Sequence, residues 1–276
     1  MTAEPATGQR PRVNIIGCGR AAGSLARLWR QADATRLGEV LNRSSASTQG
    51  AVRAIGAGTP VARLDQMRPA DCWLIGTGDD QIADVARALR DAGVDLGGAL
   101  VFHLAGRCGL EVLAPLAERR AHLAALHPVR SLTHDELTLQ EFRSTACVAE
   151  GSEQALALLQ PLVDAIGGLW LPVHGVERGL YHAAVSIVSN VTKAVTWKAQ
   201  TWLEHAGLPA GTSAAVTHQL LQSTLADLFR SGARQSITGP VVRGDTRTIE
   251  AHLSALRATH PGDVEVDRVL ARTVLD

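Results

Sequence analysis

The sequence predicts an α/β domain built on a mainly parallel, doubly wound sheet over residues 1–173, followed by an all-α domain over residues 174–276. Three observations carry this reading. Short apolar runs alternate with helical stretches up to about Val173, the pattern of strands joined by crossover helices. Runs such as residues 72–75 (CWLI) and 99–102 (ALVF) are continuously apolar, as strands are when both sheet faces are covered. From about Val176 onward the apolar residues recur only with helical spacing.

The first strand is predicted over residues 12–17, where VNII follows a polar residue and precedes a glycine. The helix after it carries Leu25, Leu28 and Trp29 on one side. A second strand over residues 38–41 runs into Asn42, Arg43, Ser44 and Ser45, and the helix AVRAIGAG follows. The next strand, residues 72–75, ends in Gly76, Thr77 and Gly78. Asp79 and Asp80 then read as N-caps of the helix QIADVARALRDAG. Residues 99–103 are a strand, LEVLAPLAERRA a helix, and AALHP, FRSTACVAEG and GGLWLPV supply three more strands. The second domain opens with one long helix, ERGLYHAAVSIVSNVTKAVTWKAQTWLEHAG, which Gly207 and Pro209 end. A second helix, SAAVTHQLLQSTLADLFRSG, is followed by the loop SITGPVVRGDTRT. Asp245 or Thr246 caps the next helix, which carries Ile249, Leu253 and Leu256.

Composition narrows the class. With 276 residues, 46% of them hydrophobic, the chain can bury a real core. Lys plus Arg and Asp plus Glu are both 27, so nothing in the net charge points to nucleic acid or a charged membrane as partner. No run of 18 apolar residues predicts a membrane span, and residues 1–12 lack the apolar core of a signal peptide. Cys18, Cys72, Cys108 and Cys147 form no CxxC pair and no metal-ligand spacing with histidines. They read as reduced, mostly buried thiols of a cytoplasmic protein, and no metal is expected.

Gly17-x-Gly19-x-x-Ala22-Gly23 lies between the first strand and the first helix, the context a dinucleotide fingerprint requires. Gly17 permits the tight turn, Gly19 lets a pyrophosphate approach, and Ala22 or Gly23 lets helix and strand pack closely. Cys18, Arg20 and Ala21 complete the loop and offer amides at the positive end of the helix. The end of the second strand carries no acid to accept from a ribose 2′-OH. It carries Asn42, Arg43 and Ser44 instead; Arg43 suits a 2′-phosphate, which favours NADP(H) over NAD. Gly76, Thr77 and Gly78, at the carboxyl end of a later strand, are expected to line the ribose and nicotinamide side. A methyltransferase also uses a glycine-rich first loop and would bind S-adenosylmethionine there.

His182, Ser186, Ser189, Asn190 and Lys193 fall on one face of the long helix at 100° per residue. A polar stripe on an apolar helix faces solvent, a partner or a cleft. Hydride transfer to a carbonyl needs a proton donor and fixed hydrogen-bond donors. On that reading His182 and Lys193 are candidate acids, and Ser189 and Asn190 candidate orienters. His103 and His127 end predicted strands on the same edge as the cofactor. Thr238 and Arg243 share a turn-rich loop in which Arg243 can clamp a carboxylate, or pair with Asp245 to organise the loop. Trp197, Trp202 and Leu203 read as core or subunit interface.

The segments IIGCGRAAGSLARLW, VFHLAGRCGLEVLAPL, ALHPVRSL, YHAAVSIVSN and SITGPVVRGDTRTIEAHLSAL span nearly the whole chain. Through them the sequence resembles Rossmann-like proteins with a DUF2520 C-terminal domain, within the broad 6-phosphogluconate dehydrogenase-like superfamily. It is similar to pyrroline-5-carboxylate reductase, ketopantoate reductase and the F420-dependent NADP oxidoreductases. The resemblance implies an NADP-type cofactor, reduction of a C=O or C=N bond in a small metabolite, and a helical domain that builds a homodimer. Two departures stand out. The third fingerprint position is Ala22 rather than glycine, and the superfamily's Lys-then-Asn pattern is reversed, since Asn190 precedes Lys193. The expectation is an NADP-dependent reductase of a small 2-oxo acid or imine, ketopantoate-like in its specific form. A non-catalytic NADP-binding sensor is the alternative.

Overall fold

The computed structural model describes residues 10–132 and 137–275. The chain divides into two compact units, Met1–Val188 and Ser189–Asp276. In the first unit eight strands form one sheet: β1 (Arg12–Ile16), β2 (Arg36–Leu41), β3 (Thr59–Pro60), β4 (Cys72–Ile75), β5 (Leu100–His103), β6 (His122–Pro128), β7 (Ala146–Gly151) and β8 (Leu169–Pro172). Their spatial order is β3-β2-β1-β4-β5-β6-β7-β8. The first six follow the doubly wound order, which reverses between β1 and β4 and opens a ligand crevice there. All neighbours pair in parallel except β6 and β7, which run antiparallel from Ala124↔Gly151 to Pro128↔Cys147. The mainly parallel sheet expected from the sequence is present. β3 has only two residues, too few for any hydrophobic period to reveal it.

Among the described residues six α-helices accompany the sheet: α1 (Arg20–Gln31), α2 (Ser45–Ile55), α3 (Ile82–Asp91), α4 (Leu139–Phe142), α5 (Glu153–Asp164) and α6 (Arg178–Ser186). Strand pleating sends alternate residues to opposite faces. Ile15, Leu74 and Phe102 therefore pack with Leu25, Leu28 and Trp29 of α1 and Leu159 and Leu162 of α5. Trp73, Ile75 and Val101 pack on the other face with Ile82, Ala86 and Leu89 of α3. Trp29 is fully buried, and its indole N–H donates to the Leu162 carbonyl at 2.9 Å. That bond satisfies the one polar atom that burial would otherwise strand.

Two expectations need correction here. Leu110–Arg119 winds as a 3₁₀ helix, not an α-helix, around Pro115, which lacks an N–H and crowds the preceding turn. Asp79 and Asp80 do not cap α3. They form the 3₁₀ turn Asp79–Gln81 and pair instead with Arg107, Asp79 Oδ2 lying 3.2 Å from its Nε.

The second unit is helical throughout its regular structure among the described residues: α7 (Thr192–His205), α8 (Ala210–Ser231), α9 (Ala233–Ser236), α10 (Thr246–Thr259) and α11 (Val264–Thr273). The single long helix expected from the sequence is instead α6, a π turn at Ile187–Val191, and α7. Asp245 caps α10, accepting from the Thr248 amide at 3.1 Å. Polar ties hold the helices: Ser213 Oγ donates to the Gln200 carbonyl at 3.0 Å, and Gln200 Nε2 to Thr217 Oγ1 at 2.8 Å. Asp263 accepts from Lys198 Nζ at 2.5 Å and from the Trp202 indole at 3.1 Å. Trp197 is 67% exposed and Phe229 81%, so Trp197 is not core of this unit. Among the described residues no helix is long and apolar enough to cross a membrane.

Candidate functional site

The carboxyl ends of β1 and β4 meet at two glycines. Gly17 sits at φ +82°, a conformation that side chains disfavour, and its amide donates to the Leu41 carbonyl at 2.8 Å. A Cβ on Gly76 would lie 2.5 Å from Ala22 Cβ and 2.6 Å from the Gly17 carbonyl oxygen. Glycine at 76 thus lets the two loops touch, a reason beyond a simple turn. A Cβ on Gly19 would meet only the Gly76 carbonyl oxygen, at 3.9 Å, and one on Gly78 would have nothing within 4 Å. Gly19 is also the N-cap of α1, which has no side-chain cap and no acid in its first turn. The leading amides around Arg20, Ala21 and Ala22 are therefore arranged for an anion.

The β2 end is tied to this loop. Asn42 Oδ1 accepts from the Cys18 amide at 2.6 Å, while Asn42 Nδ2 donates to the Ser47 carbonyl at 3.0 Å. Asn42 thus positions the loop. Ser44 is the N-cap of α2 and exchanges hydrogen bonds with Ser47, so its hydroxyl is committed to the helix. Arg43 is exposed, and among the described residues it has no ion-pair partner. A cavity of about 530 Å³ runs from Gly17 and Asn42 past Arg43, Arg63 and Thr77. Thr77 Oγ1 is buried without a hydrogen-bond partner among the described residues, a donor facing no acceptor. Burial raises the Cys18 thiol to about 11, against a smaller lowering by Arg27, so it stays protonated. The donors, the open glycines and the free arginine fit a dinucleotide.

A second cluster occupies the carboxyl ends of β5 and β6. His127 Nδ1 and the Tyr181 hydroxyl are 2.8 Å apart, their rings perpendicular at 5.6 Å between centroids. The His182 ring lies 6.4 Å from His127. Gly106 fits between the imidazoles: a Cβ there would sit 2.8 Å from His127 Cε1 and 3.0 Å from His182 Cδ2. Arg178 runs beneath, 5.8 Å from the Tyr181 ring centroid, and its Nε donates to Glu150 Oε2 at 3.0 Å. Burial, then His182 and Arg178, push the His127 pKa down to about 4 against a small opposing effect of Asp79. Burial raises the Tyr181 hydroxyl, which Arg178 partly offsets.

His103, at the end of β5, is fully buried. Its Nδ1 accepts from the Ala105 amide at 3.2 Å, so Nε2 donates to the Gly109 carbonyl at 3.0 Å. Desolvation lowers its pKa, and both nitrogens are occupied in shaping the turn that carries Gly106. As a proton donor to substrate His103 has no free nitrogen.

The predicted polar stripe is not one continuous face. His182 and Ser186 share a side of α6, but Ser189 and Asn190 lie in the π turn, whose i→i+5 bonding breaks the 100° register. Lys193 is exposed in the first turn of α7. Thr238 and Arg243 are exposed in the second unit, where the Asp245 amide bonds back to the Pro240 carbonyl at 2.9 Å. Sequence reasoning passed over Tyr181, Arg178, Glu150 and Arg63. The signal for Tyr181 was available: it is the only tyrosine in the chain and precedes His182.

Residues 2–128 match a Rossmann-like domain, and residues 145–274 match a domain of unknown function, DUF2520. A search of curated proteins finds no match. Among solved structures, the chain is similar to a candidate NADP oxidoreductase from Bacteroides fragilis, with TM-score 0.77, 20% identity and coverage of 96% of this chain and 97% of that one. A pyrroline-5-carboxylate reductase from Coxiella burnetii gives TM-score 0.60 and 18% identity over 96% and 99%. An imine reductase variant from Myxococcus stipitatus, solved with NAD+, gives 0.64 and 14% over 97% and 94%.

Proposed function

Because the chain joins a Rossmann-like domain to a DUF2520 domain, we propose that it is an NADP(H)-dependent oxidoreductase that reduces a C=O or C=N bond of a small metabolite. The observation that carries the reading is the uncapped start of α1, reached across Gly17 and Gly76, beside a β2 end that presents Arg43 and no carboxylate. When bound there, the cofactor supplies a hydride. The amides of Arg20, Ala21 and Ala22 hold the pyrophosphate, and Arg43 pairs with the 2′-phosphate. Cys18 and Asn42 fix the loop, Ser44 fixes the helix beside it, and Thr77 with Gly76 and Gly78 meets the ribose side. His127 and His182 stand on the same sheet edge as the glycine loops. Ser189, Asn190, Lys193, Thr238 and Arg243 are candidates read from the sequence alone, Arg243 because a guanidinium suits a carboxylate.

A 2-oxo acid, ketopantoate-like, is the preferred substrate class, with a cyclic imine next; the resemblance of the sequence supports both. Exposed Trp197 and Phe229 support a homodimer through the helical unit. Four free cysteines suit a cytoplasmic protein. The test is fluorescence titration with NADPH, followed by NADPH oxidation against a panel of 2-oxo acids and cyclic imines. Binding with turnover of a panel member supports the reading. Tight binding with no turnover favours a sensor, and stabilisation by S-adenosylmethionine in place of NADPH favours a methyltransferase.

A further inference from the structure

We infer that Tyr181 is the proton source of this site and that His127 is the positioning residue that holds its oxygen; the inference rests on the reductase reading. Tyr181 projects from the first turn of α6, half-buried, with its hydroxyl 2.8 Å from His127 Nδ1. His127 is fixed by β6 on one side and by the close approach of Gly106 on the other. The pair belongs to one compact unit and stands at the edge where β1 and β4 present the glycine loops.

Chemistry decides between the two partners. His127 is neutral at pH 7, because burial, with smaller effects of His182 and the Arg178 charge, holds its pKa near 4. A neutral imidazole is a poor acid, since losing its proton makes an imidazolate. The phenol is the better acid and is protonated at pH 7. For its proton to face substrate, Tyr181 must accept from His127, so the imidazole carries hydrogen on Nδ1. The other tautomer would direct the phenol proton into the ring. Arg178 adds favourable charge: its guanidinium lies 5.8 Å from the phenol ring, and its buried Nη1 has no partner among the described residues.

The step balances as follows. A hydride adds to the substrate carbon as NADPH is oxidised to NADP+, and the C=O π pair moves onto oxygen. That oxygen takes the Tyr181 proton, and the phenolate keeps the O–H bonding pair. The phenolate is held by the His127 N–H, with the Arg178 charge over its ring, until solvent returns a proton. With an imine, nitrogen takes the proton in the same way.

Because the chain has a single tyrosine, a [¹³Cζ]-tyrosine label gives one resonance that reports Tyr181 alone. The experiment follows that resonance from pH 6 to 12 in the wild type, His127→Phe and His127→Asn. It also reads the His127 tautomer from ¹⁵N imidazole shifts in the wild type, assigned by the signal lost in the variants. The expected results are hydrogen on Nδ1, a Tyr181 pKa raised by about one pH unit in His127→Phe, and recovery in His127→Asn, whose amide can donate. Hydrogen on Nε2, or a Tyr181 titration indifferent to His127→Phe, overturns the inference. On any panel compound the wild type reduces, Tyr181→Phe should lower kcat at least about 100-fold with NADPH affinity unchanged. A kcat within tenfold of wild type overturns it too. Failure of the wild type to bind NADPH would instead sink the reductase reading, and the binding titration separates the two.

Discussion

Gly76 passes so close to Gly17 that the smallest side chain at 76 would lie 2.6 Å from the Gly17 carbonyl oxygen. The oxygen belongs to backbone and the added Cβ is fixed by its own, so neither can swing aside. Gly76→Ala should therefore separate the β1 and β4 loops. We expect a loss of about 1–3 kcal/mol in stability from overpacking. NADPH affinity should fall along with it. Urea denaturation and NADPH fluorescence titration check the two effects, and an unchanged midpoint would contradict the close approach.

Arg43 is the cation at the β2 end that has no ion-pair partner among the described residues. A hydrogen bond to a charged group is worth about 1.5–3 kcal/mol, or roughly 10–100-fold in affinity. Arg43→Ala should weaken NADPH binding by that factor and leave NADH binding nearly unchanged. Parallel titrations with both cofactors check it. Equal weakening of both would show that Arg43 does not read the 2′-phosphate.

His127 should make the protein acid-sensitive. Its folded pKa, about 4, lies below the ordinary 6.5. Between these values the unfolded chain binds a proton that the folded chain does not, so stability falls as pH drops from about 6.5 to about 4. The whole effect is at most about 3 kcal/mol. The groups facing the ring are Tyr181, His182 and Arg178 from α6, with Asp79 acting from beyond β4. Other histidines titrate in the same window, so the measurement is a difference. Urea midpoints of the wild type should decline more steeply between pH 7 and 4.5 than those of His127→Asn.

Arg178 and Glu150 form an ion pair whose side chains are only 8% and 16% exposed. Removing one partner strands the other charge away from water. Arg178→Ala should cost about 3–5 kcal/mol, the range found for broken buried pairs. Arg178→Ala combined with Glu150→Ala should be less destabilised than Arg178→Ala alone. Chemical denaturation of the three proteins measures this directly.

Much of the frame was legible in the residues. CWLI and ALVF announced doubly covered strands by their continuous apolarity, and each became a buried strand of the sheet. The GCGRAAG loop announced its own place because glycine at 17 has a local cause, its φ of +82°. Asp245 was legible as a cap for the same reason, since capping involves only neighbours in the chain. Local rules misled where longer-range contacts competed. Asp79 and Asp80 looked like caps, but Arg107, far along the sequence, draws them away. The stripe on the long helix assumed an unbroken α register, which the π turn at Ile187–Val191 removes.

The sequence by itself determined the alternation of the longer strands and helices, the glycine loop and the change from α/β to helical architecture. Each of these follows from periodicity or from backbone sterics among near neighbours. Only the tertiary structure decided that His103 is committed to its own turn while His127 meets Tyr181, 54 residues away. Two histidines at the ends of adjacent strands look alike in a sequence. Burial, hydrogen-bond partners and neighbouring charge distinguish them, and those are fixed only when distant segments pack together.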